Sequence, residues 1–509
     1  MIKYFRSWWG WTLLVLFVSV IGTVAWLRYD VSPPEDSDLV VPRVSVPKSE
    51  NGFYVWGVDD DESPIRTPYD ALDDGEDVPF TLADVEAADL HDIAFGRAWS
   101  ESIVTWVVEE NRDALLTLRK VLEYRYHRIP DSARSAWCFR LGPIALLMAH
   151  REARAENWGE AFRWCENVRE FGVKLRTGNG VLGVLTGLPL EQIYGLGGLL
   201  TMLQMYDVPR DVLDRVTRGF PRQSSLMDSV RSALLSSYTE SRRLIHDTSE
   251  MRDLTFVGDP FSEVVPGWWE VYGFRPNETL FELAARTREA VRAIEGREGL
   301  NPFRFSAASR LSVANRLGRR IVDHWFFGKA VLTMYYDSEA RYRLTAVYLA
   351  AERFRRDRNR LPRRLIELVP SYLDAVPQDP YSKNPLRLRA DGVVYSVGEN
   401  REDGGGRERR SIVRERRFRK WEKDGENVAI LLEDEDYDRI NDPRRDGVIS
   451  HRDGDLSLEL FVPDDRLVDY GLISDERSLA AFRAAYPRRP VAQSPRAAET
   501  RGSFRRSTR

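Results

Sequence analysis

Histidine is followed directly by aspartate at two places in the chain, His91-Asp92 and His246-Asp247. Such a pair supplies an imidazole nitrogen and a carboxylate oxygen, which can bind a divalent metal that activates water. A hydrolase needs further ligands at defined spacings, and no such pattern is evident around either pair. We therefore expect both pairs on helix surfaces, and a hydrolase with its active site in the helical region is an alternative.

Other catalytic motifs are not found in the sequence. The six histidines and two cysteines show no zinc-ligand spacing, and no nucleophile elbow, phosphate-binding loop or dinucleotide fingerprint occurs. Cys138 and Cys165 are expected to be buried, inert thiols, because a helix pair turning near Asn157 would offset them by about 10 Å. The sequence predicts no catalytic residues, no organic cofactor and no enzyme activity.

An uncharged stretch of twenty residues, 8–27, stands near the N-terminus. At about 1.5 Å per residue it is long enough to cross about 30 Å of hydrocarbon, which predicts a transmembrane anchor. Lys3 and Arg6 precede it and acidic residues follow, so residues 1–7 are expected in the cytoplasm and the rest of the chain outside, in the periplasm. A cleaved signal peptide is the alternative.

Two regions of different composition follow the anchor. Residues 28–80 are rich in Pro, Asp, Glu, Ser and Gly, which predicts a flexible spacer. Residues 81–335 carry apolar positions at three- and four-residue spacing, which predicts one helical domain, an irregular bundle or an α-solenoid. The net charge of −4 provides no general attraction for nucleic acid, and none is expected as a partner.

The apolar segment 181–206 could be taken for a second membrane span. Pro189, Glu191 and Gln192 fall at its centre and divide it into pieces that are too short to span a bilayer. We expect a buried central helix of the bundle instead.

Residues 336–466 predict a small α+β module with an insertion. A long amphipathic helix leads into DPYSKNPLRLR, and two short β-type runs flank Asp391-Gly392. Asp-Gly tolerates the positive φ angles of a tight turn, so these runs predict a β-hairpin. Residues 467–509 are expected to form a short helix and a basic, disordered tail.

This module resembles the C-terminal half of the major pseudopilin of type II secretion systems. The resemblance rests on nine positions of an Asp-Pro-aromatic, Tyr-Ser-x-Gly and Gly-Gly pattern: Asp379, Pro380, Tyr381, Pro385, Tyr395, Ser396, Gly398, Gly404 and Gly405. The chain from the helical region onward also resembles membrane-anchored helical proteins of planctomycete-type bacteria. The N-terminus, WWGWTLLVLF, lacks the glutamate-containing prepilin signal of pseudopilins.

A calcium site is implied by the same resemblance. The pseudopilin loop binds calcium through aspartates, and the matching oxygen ligands here would be Asn400, Asp403 and, after the insertion, Asp455. Calcium is therefore the one cofactor expected. For the whole chain we expect an envelope-anchored interaction or scaffolding protein with unidentified protein partners, and a component of a pseudopilus is a second alternative.

Overall fold

The computed structural model describes most of the chain between residues 30 and 398, with gaps, and a few residues outside that span. The described residues are 15–19, 30–42, 45–56, 63–87, 90–95, 100–129, 137–220, 226–246, 274–296, 315–325, 328–390, 392–398, 403, 449–452 and 455–459.

The described chain is mainly helical, as predicted. Fourteen α-helices are described: α1 Pro68–Asp73, α2 Leu82–Ala87, α3 Leu90–Ala94, α4 Glu101–Glu110, α5 Arg112–Val121, α6 Trp137–Arg154, α7 Trp158–Arg176, α8 Gly180–Pro189, α9 Gly198–Met205, α10 Arg210–Gly219, α11 Leu226–His246, α12 Pro276–Ile294, α13 Arg316–Trp325 and α14 Gly328–Arg358. A π-helix, Leu190–Gly197, connects α8 to α9. Short 3₁₀ helices lie at Lys48–Glu50, Gly52–Trp56 and Leu365–Leu368.

The chain divides into two compact units, and each combines segments that are distant in sequence. The smaller unit contains residues 1–45 and 227–333, and the larger contains 46–226 and 334–509. The prediction of one continuous helical domain over 81–335 is therefore wrong in its boundaries. The physical reason is that α14 contacts earlier elements of the larger unit: Tyr342 bonds to Glu191, and Arg353 pairs with Asp214.

The smaller unit is built on α11, α12 and α13 together with the extended segment 30–42. Its core consists of Leu39, Leu235, Tyr238, Ile245, Leu280, Leu283, Ala284, Leu317, Ile321 and Val322. Leu39 belongs to the extended segment, and this segment is therefore part of the core of the smaller unit.

The larger unit is centred on the helix pair α6 and α7. These helices are joined by a short turn at Asn157, where Glu156 adopts a left-handed φ of 59°, and they pack along each other. Next to them α8, the π-helix and α9 form one continuous, largely buried helical segment. This confirms the expectation of a buried central helix over 181–206.

A four-stranded antiparallel sheet lies in the C-terminal part of the larger unit. Its strands are β1 Arg387–Leu388, β2 Val393–Ser396, β3 Ile449–Arg452 and β4 Asp455–Glu459, in the order β1-β2-β4-β3. The predicted hairpin is confirmed: Leu388 pairs with Val394, and Gly392 adopts a φ of 89° in the turn. Glycine is favoured there because a side chain would be strained at that φ.

The predicted anchor, residues 8–27, falls mostly outside the described residues. Of that stretch only residues 15–19 are described, and they are helical. In the part of the chain that the structure describes, no helix combines the length and the apolar character needed to cross a membrane.

The prediction of a flexible spacer over 28–80 is wrong for the residues described. Phe53 and Trp56 are buried, and the Trp56 ring contacts Trp137 of α6 at 4.9 Å between centroids. α1 begins with Pro68 and a capping box in which Thr67 and Asp70 satisfy each other's backbone N–H groups. The composition suggested disorder because the segment cannot form a core alone, but several of its apolar residues, such as Phe53, Trp56 and Ile65, are buried in the fold.

Candidate functional site

A buried ion pair lies at the centre of the larger unit, between Arg176 at the end of α7 and Glu191 in the π-helix. The Nε of Arg176 donates to Oε2 of Glu191 at 2.7 Å, and the two side chains are 1% and 0% exposed. A charge removed from water at this depth is tolerated only when it is paired. Arg176 and Glu191 therefore depend on each other in the folded chain.

Glycines bring the two backbones close enough for this pair to form. A Cβ placed on Gly172 of α7 would lie 2.5 Å from the carbonyl oxygen of Gly187 in α8. Since real Cβ atoms do not approach oxygen so closely, α7 and α8 can cross at this distance only with glycine at position 172. The close crossing places the start of the π-helix beside the end of α7.

Tyr342 of α14 connects the ion pair to a second arginine. The Tyr342 hydroxyl donates to Oε1 of Glu191 at 2.5 Å and accepts from Nη1 of Arg169 at 3.2 Å. Arg169 in turn donates to both oxygens of Glu166, which is half-exposed. We call these five residues, Glu166, Arg169, Tyr342, Glu191 and Arg176, the Glu191 cluster.

Electrostatics keep two of these residues, Tyr342 and Arg169, in their protonated forms. Burial, and then the negative charge of Glu191, raise the pKa of the Tyr342 hydroxyl, so it remains a donor. Burial disfavours the charged form of Arg169, but Glu166 outweighs that effect and the pKa of Arg169 is raised. Tyr342 and Arg169 therefore remain hydrogen-bond donors in the folded protein.

A second buried carboxylate, Asp379, lies in the DPYSKNP stretch and is 2% exposed. Its Oδ1 accepts from the backbone N–H of Tyr381 at 2.9 Å and from the Ser396 hydroxyl at 2.7 Å. Its Oδ2 accepts from the Ser382 hydroxyl at 3.0 Å and from the backbone N–H of Val397 at 2.9 Å. We call Asp379 and its four donors the Asp379 cluster.

The Asp379 cluster joins the DPYSKNP turn to the sheet and to α14. Ser396 belongs to β2, and the neighbouring Tyr381 donates its hydroxyl proton to Asp337 of α14. The Tyr381 ring also contacts Tyr336 at 5.4 Å between centroids. Three positions of the pseudopilin-like pattern, Asp379, Tyr381 and Ser396, therefore meet in one place.

The three predicted calcium ligands are only partly covered by the structure. Asn400 lies outside the described residues, and Asp455 begins β4 opposite Arg452, with its side chain not described. Asp403 is described: its carboxylate forms an ion pair with Arg387 of β1 and accepts from the Tyr395 hydroxyl at 3.0 Å. The structure thus places Asp403 at the hairpin, and the calcium site stays a prediction.

The buried histidines and cysteines have structural surroundings. His150 must donate from Nε2 to the Ala94 carbonyl at 2.7 Å, since a carbonyl only accepts, and its Nδ1 accepts from Tyr206 at 2.9 Å. Burial lowers the pKa of His150 to about 4. Cys138 and Cys165 are free and buried, as predicted, and burial raises the pKa of both thiols, that of Cys165 to about 12.

Among the described residues, no group of three or more His, Cys, Asp or Glu side chains is arranged to hold a metal ion. The side chains of His91 and Asp92 and the whole of Asp247 lie outside the described residues. Comparisons with family models, curated proteins and solved structures found no match to this chain.

The sequence did not suggest either cluster as a unit. Arg176 precedes Glu191 by 15 residues, and Tyr342 follows it by 151, so no local pattern joins them. For Glu191 the signal in the sequence was a charged residue inside an apolar segment, because such a residue must find a partner when it is buried. For Asp379 the signal was its place in the pseudopilin-like pattern, together with Tyr381 and Ser396. Both clusters join segments that are far apart in sequence through hydrogen bonds.

Proposed function

We propose that this chain is an exported, membrane-anchored scaffolding protein and that it is not an enzyme. Residues 1–7 would lie in the cytoplasm, residues 8–27 would span the membrane, and the two folded units would lie outside, in the periplasm, where they bind protein partners. The anchor is supported by the uncharged run of the sequence and its flanking charges.

The observation that supports the scaffolding role is how the buried carboxylates of Glu191 and Asp379 are hydrogen-bonded. Each oxygen of Glu191 and of Asp379 already accepts a hydrogen bond from the protein itself. A catalytic carboxylate needs an oxygen that can reach the substrate. Glu191 and Asp379 instead fix segments that are far apart in sequence, as a rigid binding surface requires.

Fractionation of cells that make the full chain tests the anchor and its orientation. We expect full-length protein in the membrane fraction, resistant to carbonate extraction, with the folded units open to protease from the outer side. A soluble mature chain that begins near Trp26 would show that the segment is a cleaved signal and that the anchor proposal is wrong. Turnover of a hydrolase substrate by the purified chain would overturn the scaffolding role.

A pseudopilus component is a second candidate, and the Asp379 cluster favours it because pattern positions of the pseudopilin-like module lie together there. This candidate predicts processing by prepilin peptidase and co-purification with filaments. A chain that keeps its N-terminus and never sediments with filaments would exclude it.

Calcium binding by Asn400, Asp403 and Asp455 is proposed as a stabilising feature of the same module. At free calcium of 100 times the dissociation constant, binding would add about 2.7 kcal/mol to stability. Thermal melts of the full chain with calcium and with chelator check this, and an Asp403→Ala variant should lose the difference. An unchanged melt in millimolar calcium would remove calcium from the proposal.

A further inference from the structure

The extended segment that follows the proposed anchor is fixed to the smaller unit from its first described residue. Asp30 caps the N-terminus of α12, because its carboxylate accepts from the backbone N–H groups of Asn277 at 2.8 Å and Glu278 at 3.0 Å. The Asn277 side chain also donates to the Val31 carbonyl at 2.9 Å. Carboxylates are favoured at this end of a helix by the unpaired N–H groups and the helix dipole.

Two further aspartates hold the rest of the segment. Asp36 accepts from the Tyr238 hydroxyl at 2.6 Å and lies 2.9 Å from Nε of Arg242, both in α11. Asp38 forms a two-pronged ion pair with Arg288 of α12, at 2.9 and 2.7 Å. The segment is therefore attached to two helices, and three of its acidic side chains are engaged within the unit.

The distance from the anchor to the smaller unit is short. The uncharged run ends at Leu27, and Asp30 is three residues later. Three residues span at most about 11 Å even when fully extended. Whatever the conformation of residues 28 and 29, the capped end of α12 must lie close to the membrane face if residues 8–27 span the bilayer.

Exposed apolar side chains lie at this same end of the unit. Val31 is 41% exposed, and Phe281 of α12 is 57% exposed. Phe281 follows Asn277 by four residues, so it lies on the helix face along which the extended segment runs. Aromatic side chains are enriched at the level of lipid headgroups, where an apolar ring is partly desolvated.

We propose that the smaller unit is a membrane-proximal domain that rests on the phospholipid surface through the Asp30-capped end of α12, with Phe281 and Val31 in contact with lipid. This inference rests on the proposed membrane anchor. Asp30, Asp36 and Asp38 would lie near phosphate headgroups of the same charge. Because these carboxylates are hydrogen-bonded or paired within the unit, they present less charge to the lipid.

A fluorescent label at position 281 tests the contact directly. The full chain carrying Phe281→Cys is labelled with an environment-sensitive dye and reconstituted into phosphatidylcholine–phosphatidylglycerol vesicles with and without brominated acyl chains. The native cysteines are buried and stay unlabelled. The matched control is Arg292→Cys, exposed on the same helix, about 16 Å further along its axis than position 281. We expect blue-shifted emission and bromine quenching at 281, and neither at 292.

Two variants and one fractionation separate the possible failures. Asp30→Ala removes the cap, and we expect the label at 281 to move toward aqueous emission while the chain stays in the carbonate-resistant membrane fraction. If the label at 281 is aqueous in the otherwise unchanged chain and that chain is carbonate-resistant, the docking proposal is wrong and the anchor stands. If the chain leaves the membrane in carbonate, the anchor is wrong, and the docking proposal with it.

Discussion

The buried carboxylates of Glu191 and Asp379, both in the larger unit, are held by different means. Glu191 is paired with the guanidinium of Arg176 and the hydroxyl of Tyr342, so its partners include a full positive charge. The hydrogen bonds to Asp379 come from two backbone N–H groups and two serine hydroxyls, all neutral. The stability of buried Glu191 depends on one long side chain, that of Arg176. The stability of buried Asp379 is shared among four hydrogen bonds. The first two of four predictions test this difference, and the other two concern the buried side chains of His150 and Gln192.

Removing the charge partner of Glu191 should have the largest effect. Arg176→Met keeps much of the side-chain volume but leaves Glu191 buried without its cation, which we expect to lower the free energy of unfolding by about 3–5 kcal/mol. Urea unfolding of the full chain, followed by tryptophan fluorescence, measures it. Adding Glu191→Leu should restore most of the loss, because an apolar pair of similar volume needs no charge partner.

The matched control for this prediction is Arg163→Met. Arg163 lies on the same helix, is exposed, and pairs with Glu160 three residues away. Exposed pairs of this kind contribute about 0.2–0.5 kcal/mol. Equal losses from the two substitutions would mean that the buried pair contributes no more than a surface pair.

Removing the second carboxylate should have a smaller effect that can be divided among its donors. Asp379→Ala leaves two backbone N–H groups without their acceptor, which we expect to cost about 2–4 kcal/mol. Ser382→Ala removes one donor of four and should cost about 1 kcal/mol. The same unfolding measurement compares them, and a loss for Asp379→Ala no greater than that for Ser382→Ala would contradict the shared arrangement.

The third prediction concerns the buried His150 and uses a pH series. Its folded pKa is lowered to about 4 from an ordinary 6.5, so the unfolded chain binds its proton first as the pH falls. Stability should be unaffected by His150 above pH 6.5 and should decrease between 6.5 and 4, by at most about 1.4 kcal/mol per pH unit.

The slope of stability against pH, obtained from urea unfolding at several pH values, tests the His150 prediction. His150→Gln should make that slope smaller by the contribution of one proton. His246→Gln, at an exposed position in α11, is the matched control for the substitution itself. A slope that His150→Gln does not alter would show that another group is responsible.

The smallest expected effect has the opposite sign. Gln192 follows Glu191 in the π-helix and is buried, and neither polar atom of its amide has a hydrogen-bond partner among the described residues. Gln192→Leu replaces it with an apolar side chain of similar size, so we expect no loss, or a gain of about 1 kcal/mol, in urea unfolding. A clear loss would reveal a partner for this amide in the folded chain.

Local patterns in the sequence predicted local structure well. The hairpin around Asp391-Gly392 and the buried helical segment at 181–206 follow from turn chemistry and from apolar content, which act over a few residues. The clusters could not be predicted, because the partners of Glu191 and Asp379 are set by how distant helices pack. The spacer prediction failed for a related reason: aspartates counted as signs of disorder serve as helix caps and ion-pair partners.

The contact between Tyr342 and Glu191 can form only late in synthesis of the chain. A chain that emerges N-terminus first exposes α7 and the π-helix long before α14, since Tyr342 follows Glu191 by 151 residues. At about 5–20 residues per second, that interval lasts roughly 8–30 s. During it, Arg176 can already pair with Glu191, but the Tyr342 hydroxyl has not yet been made, and the surface that α14 will cover stays open to chaperones and proteases.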